Sequence, residues 1–239
     1  MELDNRKSDQ GSNAPFSSNL QLYSHCHSSC SWRIPYEYKE VDLAKGEQYS
    51  PEFERLNPLH YVPVLVDDNV VVSDSYAIFL HLEEKYTQKP LLPVDPQLRA
   101  LNLQVASIVH SSIQPLHMLT VLKDMEKMFG EESKPWAQFT INKGFSALEK
   151  LLKDFAATYA TGELIYMADV FLAPQIEQAV QKFGVDMVNW RMGGDFSFAR
   201  DLKEILGNEM LWLYETYKAL PEFQASSPQR QFDAFIHNP

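Results

Sequence analysis

The stretch Leu20-Gln21-Leu22-Tyr23-Ser24, followed closely by Ser28-Ser29-Cys30-Ser31-Trp32-Arg33, decides the expected fold of the first third of the chain. The first run is a short apolar stretch that is typical of a β-strand. The hydroxyls and the thiol after it lie where a helix would begin, and a helix N-terminus stabilises an anion through free N–H groups and its dipole. Such a position favours a thiolate near neutral pH. This stretch therefore predicts thiolate chemistry at the end of a strand.

The composition is that of a soluble globular protein and excludes several classes of function. The chain has 239 residues, of which 45% are hydrophobic and 22% are charged. Its formal net charge of −11 disfavours binding to nucleic acid or to anionic membranes. No apolar run approaches the length of a membrane span, and two cysteines, Cys26 and Cys30, are too few for a disulfide framework. We expect a cytoplasmic protein.

Hydrophobic periodicity predicts strands first and helices later. Tyr36–Val41 and Val62–Val66 are strand candidates, and Val70–Val72 is a hairpin partner for the second of them. Ser73-Asp74-Ser75 then caps a helix that reaches about Tyr86. Helical spacing dominates after residue 98, with a kink or break expected at Pro115.

This order predicts an α+β fold class with two domains. We expect a disordered tail over residues 1–18, because it is polar and lacks the apolar region of a signal peptide. An N-terminal domain follows over 19–88. A proline-rich linker spans 89–97, and an all-helical domain covers 98–239, with a helix over Met167–Phe183 that Asp169 is placed to cap.

Two dipeptides in the N-terminal domain could contact a ligand. Proline at the start of the strand in Val62-Pro63 cannot donate to a β-ladder, and a cis bond there would leave the backbone of Val62 free for a peptide-like ligand. The simpler interpretation is that the proline only marks the start of the strand. Asp74-Ser75 offers a hydroxyl and a helix N-terminus to a ligand carboxylate, and the simpler interpretation is helix capping.

Taken in order, the motifs of the chain resemble those of the plant zeta-class glutathione transferases, the maleylacetoacetate isomerases. The resemblance covers nearly the whole chain from about Leu20 to Gln231. The motifs that carry it are Leu22-Tyr23-Ser24, Ser28 to Arg33, Tyr36-Glu37-Tyr38, Leu56-Asn57-Pro58, Val62-Pro63, Asp74-Ser75, Pro90-Leu91-Leu92-Pro93, Ile113-Gln114-Pro115, Lys143-Gly144-Phe145 and Ala168-Asp169. The resemblance implies a thioredoxin-like N-terminal domain joined to the all-α C-terminal domain of glutathione transferases.

The resemblance also implies roles for individual residues. Ser28 would hydrogen-bond the glutathione sulfur, Cys30 would modulate the substrate pocket, and Arg33 would orient the loop or the substrate carboxylates. Lys182 stands where the family often has arginine, and would bind the substrate. The positions that match glutathione-binding residues of the family are Ser29, Gln48, Val62, Asp74, Ser75 and Gln114.

The activity implied by the resemblance is the glutathione-dependent cis–trans isomerisation of maleylacetoacetate to fumarylacetoacetate in tyrosine and phenylalanine breakdown, with glutathione transferase activity beside it. Glutathione would be the cofactor, and the substrate would be a small dicarboxylate-like molecule. No metal is expected. The protein would form a homodimer.

Two departures from the family pattern support an alternative. The connection from Ser24 to Tyr36 is short, because a crossover between parallel strands takes about a dozen or more residues, and this predicts an incomplete first helix. An insertion lies near residues 188–210. The alternative is a catalytically impaired splice variant or paralogue that binds partners without turnover. A third hypothesis makes Cys30 a mixed-disulfide nucleophile.

His25-Cys26-His27-x-x-Cys30 carries ligand types that suit zinc, but no matching cluster accompanies it elsewhere in the sequence. Cys26 and Cys30 could instead oxidise together, although their spacing is not that of a Cys-X-X-Cys redox motif. Four scattered histidines are best explained by packing or surface roles. They are His60, His81, His110 and His117.

Overall fold

In the computed structural model, the described residues are 13–17, 38–43, 45–185, 209–221 and 224. The chain divides into two compact units, Met1–Lys85 and Tyr86–Pro239, and each is described by itself. The predicted strand Leu20–Ser24 and the shortened connection after it lie outside the described residues. So does the predicted insertion near 188–210, apart from its last two residues.

A four-stranded mixed sheet organises the first unit. Its strands are β1 (Asn13–Ser17), β2 (Tyr38–Glu40), β3 (Val64–Asp67) and β4 (Val70–Ser73). Their spatial order is β2-β1-β3-β4, with β1 parallel to β2 and antiparallel to β3. The hairpin of β3 and β4 is antiparallel and pairs Val64 with Ser73 and Asp67 with Val70. The predicted hairpin is therefore present.

The prediction of a disordered tail is wrong at Asn13–Ser17, where the structure has strand β1. Ala14 is paired with Tyr38 of β2, and Asn13 is paired with Val66 of β3. The strand is thus stabilised by hydrogen bonds to neighbours on both sides. These neighbours are distant in sequence, and the local polarity of the segment gives no sign of them.

The first unit contains a small apolar cluster, formed by Val41, Phe53, Val62 and Val64. Phe53 comes from the short helix α1 (Pro51–Glu54), which Ser50 caps by accepting from the Phe53 N–H at 3.2 Å.

Helix α2 (Ser75–Lys85) is tied to β3 by a buried carboxylate. Asp67 accepts from Lys85 Nζ at 2.6 Å and lies 2.9 Å from His81 Nε2. Burial alone would raise the pKa of Asp67, but the bonds from Lys85 and His81 outweigh it and leave the pKa below its ordinary value. The ion pair therefore holds one end of the helix on the hairpin.

The proline-rich segment at the start of the second unit packs against the helices of that unit. Leu91 and Leu92 are buried, and the carbonyl of Leu91 accepts from the N–H of Met167 at 2.7 Å. Helix α3 (Pro96–Ile108) begins inside the predicted linker, because proline is tolerated in the first turn and Asp95 caps the helix by accepting from Leu98 at 2.8 Å.

The second unit is helical in its described part. After α3 come α4 (Leu119–Phe129), α5 (Ser133–Leu152), α6 (Met167–Phe183) and α7 (Glu209–Ala219). The predicted break at Pro115 is present, since a π-helical turn over Val109–Ile113 and a 3-10 turn over Gln114–His117 follow α3. Within the described part of the chain, no single helix is long and apolar enough to cross a membrane, although Pro96–His117 and Val121–Leu152 would meet that test as a bent pair.

One buried carboxylate joins three parts of the helical unit. Asp169, in the first turn of α6, accepts from the N–H of Tyr166 at 2.9 Å, from the N–H of Ala160 at 2.8 Å and from Tyr217 Oη at 2.6 Å. The sequence prediction that Asp169 caps α6 is confirmed. Tyr217 belongs to α7, so the cap also anchors the last described helix.

Candidate functional site

The first unit contains four of the predicted glutathione-binding residues, namely Gln48, Val62, Asp74 and Ser75. The predicted catalytic residues Ser28, Cys30 and Arg33 lie outside the described residues, as does Ser29. Their roles therefore stay predictions.

Asp74 and Ser75 open helix α2. Asp74 has a left-handed backbone with φ of 88°, and its Oδ1 accepts from the N–H groups of Tyr76 at 2.9 Å and Ala77 at 3.0 Å. The capping interpretation of this dipeptide is thus correct for Asp74. Because those two N–H groups are occupied, a ligand carboxylate at this helix end would have to use Ser75, which is buried at 6% exposure.

Gln48 offers a buried acceptor. It lies in a 3-10 turn over Glu47–Tyr49, is only 4% exposed, and its Oε1 has no hydrogen-bond partner among the described residues. The backbone carbonyl of Gln48 accepts from His60 Nδ1 at 2.9 Å, and the His60 ring packs on Tyr49. A buried amide oxygen is costly to leave unpaired, so this atom is a candidate for ligand binding.

Val62 lies two residues before strand β3 and is buried in the apolar cluster. The peptide bond from Val62 to Pro63 is cis, which is the geometry that the ligand-binding interpretation of this dipeptide requires.

In the helical unit, Gln114 begins the 3-10 turn that follows the π-helical turn. Its side chain is 9% exposed, and its Oε1 lies 3.3 Å from His110 Nδ1. Gly144 of α5 makes this arrangement possible, because a Cβ at that position would lie 2.7 Å from Ile113 Cγ1. The glycine therefore lets α5 approach the residue that precedes Gln114.

Lys182 lies in the last turn of α6, and its ammonium is buried without a hydrogen-bond partner among the described residues. Burial lowers the pKa of Lys182 to about 8. An unpaired buried cation is expensive, which makes it a candidate for binding an anionic ligand group.

Sequence reasoning missed one residue, His117. It is 6% exposed, its Nδ1 donates to Gln175 Oε1 at 2.6 Å, and its Nε2 has no partner in the part of the chain that the structure describes. Burial and, to a smaller extent, the charge of Lys182 lower the pKa of His117 to about 4, against the opposing effect of the bond from Gln175. No sequence signal separates His117 from the other histidines, because its partners come from a helix distant in sequence.

The described residues hold no group of three or more histidine, cysteine, aspartate or glutamate side chains that could hold a metal ion. The residues of the zinc alternative, His25, Cys26, His27 and Cys30, lie outside the described ranges. That alternative stays untested.

Comparison with known proteins places this arrangement in a family. Residues 26–90 match the family described as glutathione S-transferase, N-terminal domain. Over 225 residues the chain is 46% identical to a glutathione S-transferase zeta class protein of Euphorbia esula, covering 90% of this chain and 92% of that protein. This chain belongs to the zeta-class glutathione S-transferase family. The family resemblance stated from the sequence is thereby confirmed.

Other relatives of this zeta-class chain are named maleylacetoacetate isomerase. The chain is 39% identical to a maleylacetoacetate isomerase of Mus musculus, covering 89% of this chain and 94% of that protein. A crystal structure of maleylacetoacetate isomerase from Anaeromyxobacter dehalogenans 2CP-1, with glutathione bound in its active site, matches with a TM-score of 0.76 at 29% identity. The match covers 94% of this chain and 98% of that one. The predicted fold class, a thioredoxin-like domain and an all-α domain, is confirmed.

Proposed function

We propose that this chain catalyses the glutathione-dependent cis–trans isomerisation of maleylacetoacetate to fumarylacetoacetate, with glutathione transferase activity beside it. The observation that carries the proposal is its membership of the zeta class, together with the near full-length similarity to relatives named maleylacetoacetate isomerase. The comparisons give no support to the alternative of a catalytically impaired variant.

The first unit contains residues that fit glutathione, a tripeptide rich in amide donors and carboxylates. The unpaired Oε1 of Gln48 would accept from an amide or ammonium of the ligand, and Ser75 would bind a carboxylate at the start of α2. Ser29, the backbone of Val62 and Asp74 complete the set in this unit by resemblance, and Gln114 contributes from the helical unit. Asp74 would act mainly by holding the first turn of the helix in place.

When bound, glutathione supplies a thiolate that adds reversibly to the cis double bond and so lets that bond rotate before the thiolate leaves. Ser28 would donate a hydrogen bond to the sulfur and favour its anionic form. Cys30 and Arg33 would shape the pocket and orient the substrate carboxylates. Lys182 would bind one acidic group of the dicarboxylate-like substrate with its otherwise unpaired ammonium.

The decisive experiment incubates the purified full-length chain with glutathione and maleylacetone and follows loss of the cis isomer. We expect turnover that depends on glutathione and falls by about 10²-fold or more in Ser28→Ala. Calorimetric binding of glutathione without any isomerisation would refute the enzymatic proposal. Loss of activity in Cys30→Ala with Ser28→Ala unaffected would favour the mixed-disulfide hypothesis instead.

The homodimer, the cytoplasmic location and the place in tyrosine and phenylalanine catabolism are further parts of this proposal, all from the family resemblance. Large apolar side chains exposed on the first unit, among them Leu59 at 69% and Tyr49 at 60%, are consistent with a partner subunit. Sedimentation equilibrium tests the dimer, and a monomer at micromolar concentration would contradict it.

A further inference from the structure

Two buried polar atoms of the helical unit, Nε2 of His117 and Nζ of Lys182, have no hydrogen-bond partner among the described residues. The ring of His117 packs against Phe183, the residue that directly follows Lys182, and the charge of Lys182 acts on the imidazole of His117. No hydrogen bond joins these two atoms, and each therefore needs a third group. Buried polar atoms are rarely left unpaired in folded proteins.

The Nε2 atom of His117 is a hydrogen-bond acceptor, and neighbouring side chains hold its ring in place. Its Nδ1 donates to the amide oxygen of Gln175 at 2.6 Å, and its ring packs against Phe183 with the centroids 5.2 Å apart. With the proton on Nδ1, the free Nε2 carries a lone pair and can only accept. Since burial lowers the pKa of His117 to about 4, the imidazole stays neutral around pH 7.

Lys182 presents a donor on the neighbouring helix. Gln178 and Lys182 are four residues apart on α6 and therefore share one face of the helix, and Oε1 of Gln178 is also buried without a described partner. Burial lowers the pKa of Lys182 to about 8, so most molecules carry the ammonium at pH 7. The group that satisfies this set must accept from a cation and donate to a neutral acceptor.

We propose that His117 and Lys182 form a subsite for an enolic acid, in which Lys182 Nζ donates to an oxygen of the ligand and His117 Nε2 accepts from its enol hydroxyl. A simple carboxylate satisfies only the ammonium, because it has no proton to donate. An enolised 1,3-dicarbonyl acid has both an oxygen acceptor and an O–H donor. His117 is thus a specificity-determining residue that favours the enol form.

The inference rests on the proposed function, since maleylacetoacetate is a 1,3-diketone that carries carboxylates and can enolise. The subsite would bind that part of the substrate and hold it in one tautomer. The double bond that isomerises is a different part of the substrate, and binding can therefore be measured without turnover.

The experiment compares two probes by calorimetry on the full-length chain with glutathione present. The probes are 2,4-dioxopentanoate, which enolises, and 2-oxopentanoate, which has the same length and carboxylate but lacks the second carbonyl. We expect the wild type to bind the enolic probe more tightly. His117→Asn keeps a donor for Gln175 and removes Nε2. It should weaken the binding of the enolic probe about tenfold while leaving the affinity for 2-oxopentanoate unchanged.

Lys182→Met should weaken the binding of both probes, because both carry a carboxylate. The matched control Lys153→Met removes an exposed lysine from the end of α5 and should change neither affinity. Glutathione affinity should be unchanged in all three variants, which shows that the first unit is intact.

The subsite is overturned if the wild type binds the two probes equally, or if His117→Asn lowers the melting temperature without changing their affinity ratio. The second result would mean that His117 has only a structural role. Failure of the proposed function gives a different result, namely probe discrimination without any turnover of maleylacetone. The wild-type comparison decides the matter even if His117→Asn does not fold.

Discussion

At the scale of single residues, Asp169 shows how a charge can be kept inside a helical core. Its carboxylate is 1% exposed and accepts from Tyr166, Ala160 and Tyr217. Burial raises the pKa of Asp169, while these hydrogen bonds oppose the rise. No described residue donates to it from a cation, so the neutral donors carry its stabilisation.

Asp169→Ala should therefore lower the free energy of unfolding by about 3 kcal/mol or more, because it leaves three donors unpaired, two of them backbone N–H groups. Tyr217→Phe removes one of those bonds and should cost about 1 kcal/mol. Urea denaturation measures both. Equal losses in the two variants would contradict the view that Asp169 is the centre of this network.

Lys182 predicts a pH dependence of substrate binding. Its pKa of about 8 means that the ammonium is present below pH 8 and is lost as the pH rises through that value. At saturating glutathione, the KM for maleylacetone should rise roughly tenfold between pH 7 and pH 9, as the charged fraction falls.

Lys182→Arg should keep its charge over this range and give a KM that is nearly independent of pH. An electrophile without an acidic group, assayed in parallel, corrects for titration of the glutathione thiol. The same rise in the wild type and in Lys182→Arg would show that another group titrates.

At the scale of elements, the helix after the linker changes its winding before it ends. The α-helical ladder passes into a π-helical turn and then a 3-10 turn, and this change of winding places Gln114 at the start of the last turn. Gly144 on α5 provides the space for Ile113, the last residue of the π-helical turn. The packing of two helices thereby decides the position of a predicted ligand contact.

Gly144→Ala tests that coupling. A Cβ would lie 2.7 Å from Ile113 Cγ1 and 2.9 Å from its Cδ1, so the π-helical turn has to move. We expect a loss of about 1–3 kcal/mol in unfolding free energy and weaker glutathione binding. The double variant with Ile113→Ala should recover part of the binding loss relative to Gly144→Ala. Strictly additive effects in this cycle would refute the steric coupling.

At the scale of the whole molecule, the question is whether the chain keeps a working glutathione site. A ligand that binds the folded chain at 100 times its Kd stabilises it by about 2.7 kcal/mol. For a protein of this size we expect the melting temperature to rise by about 5 to 10 °C in saturating glutathione. No shift at millimolar glutathione would favour the impaired paralogue.

Gln48→Leu should reduce that shift, because it removes the buried unpaired acceptor that we assign to the ligand. Gln104→Leu, an exposed glutamine of α3, is the matched control and should leave the shift unchanged. Differential scanning fluorimetry measures all three proteins. Equal shifts in the two variants would remove Gln48 from the glutathione site.

Much of the fold could be predicted because its signals are local. The β3–β4 hairpin follows from two short valine-rich runs on either side of a turn, and the helix Met167–Phe183 follows from its apolar pattern and its cap. Strand β1 could not be predicted, because its partners β2 and β3 are far along the chain. The break at Pro115 was predicted, but its division into π-helical and 3-10 turns was not, and Ile113 of the π-helical turn packs closely against Gly144 of the distant helix α5.

The sequence by itself determined the family and the order of strands before helices, and it supplied the prediction that Lys182 binds an acidic substrate. Only the tertiary structure decided which polar atoms stay unpaired. The acceptor of Gln48, the ammonium of Lys182 and the free nitrogen of His117 are distinctive because packing removes water from them without supplying a partner. Motifs are short-range patterns of residue types, whereas desolvation depends on every segment that surrounds an atom.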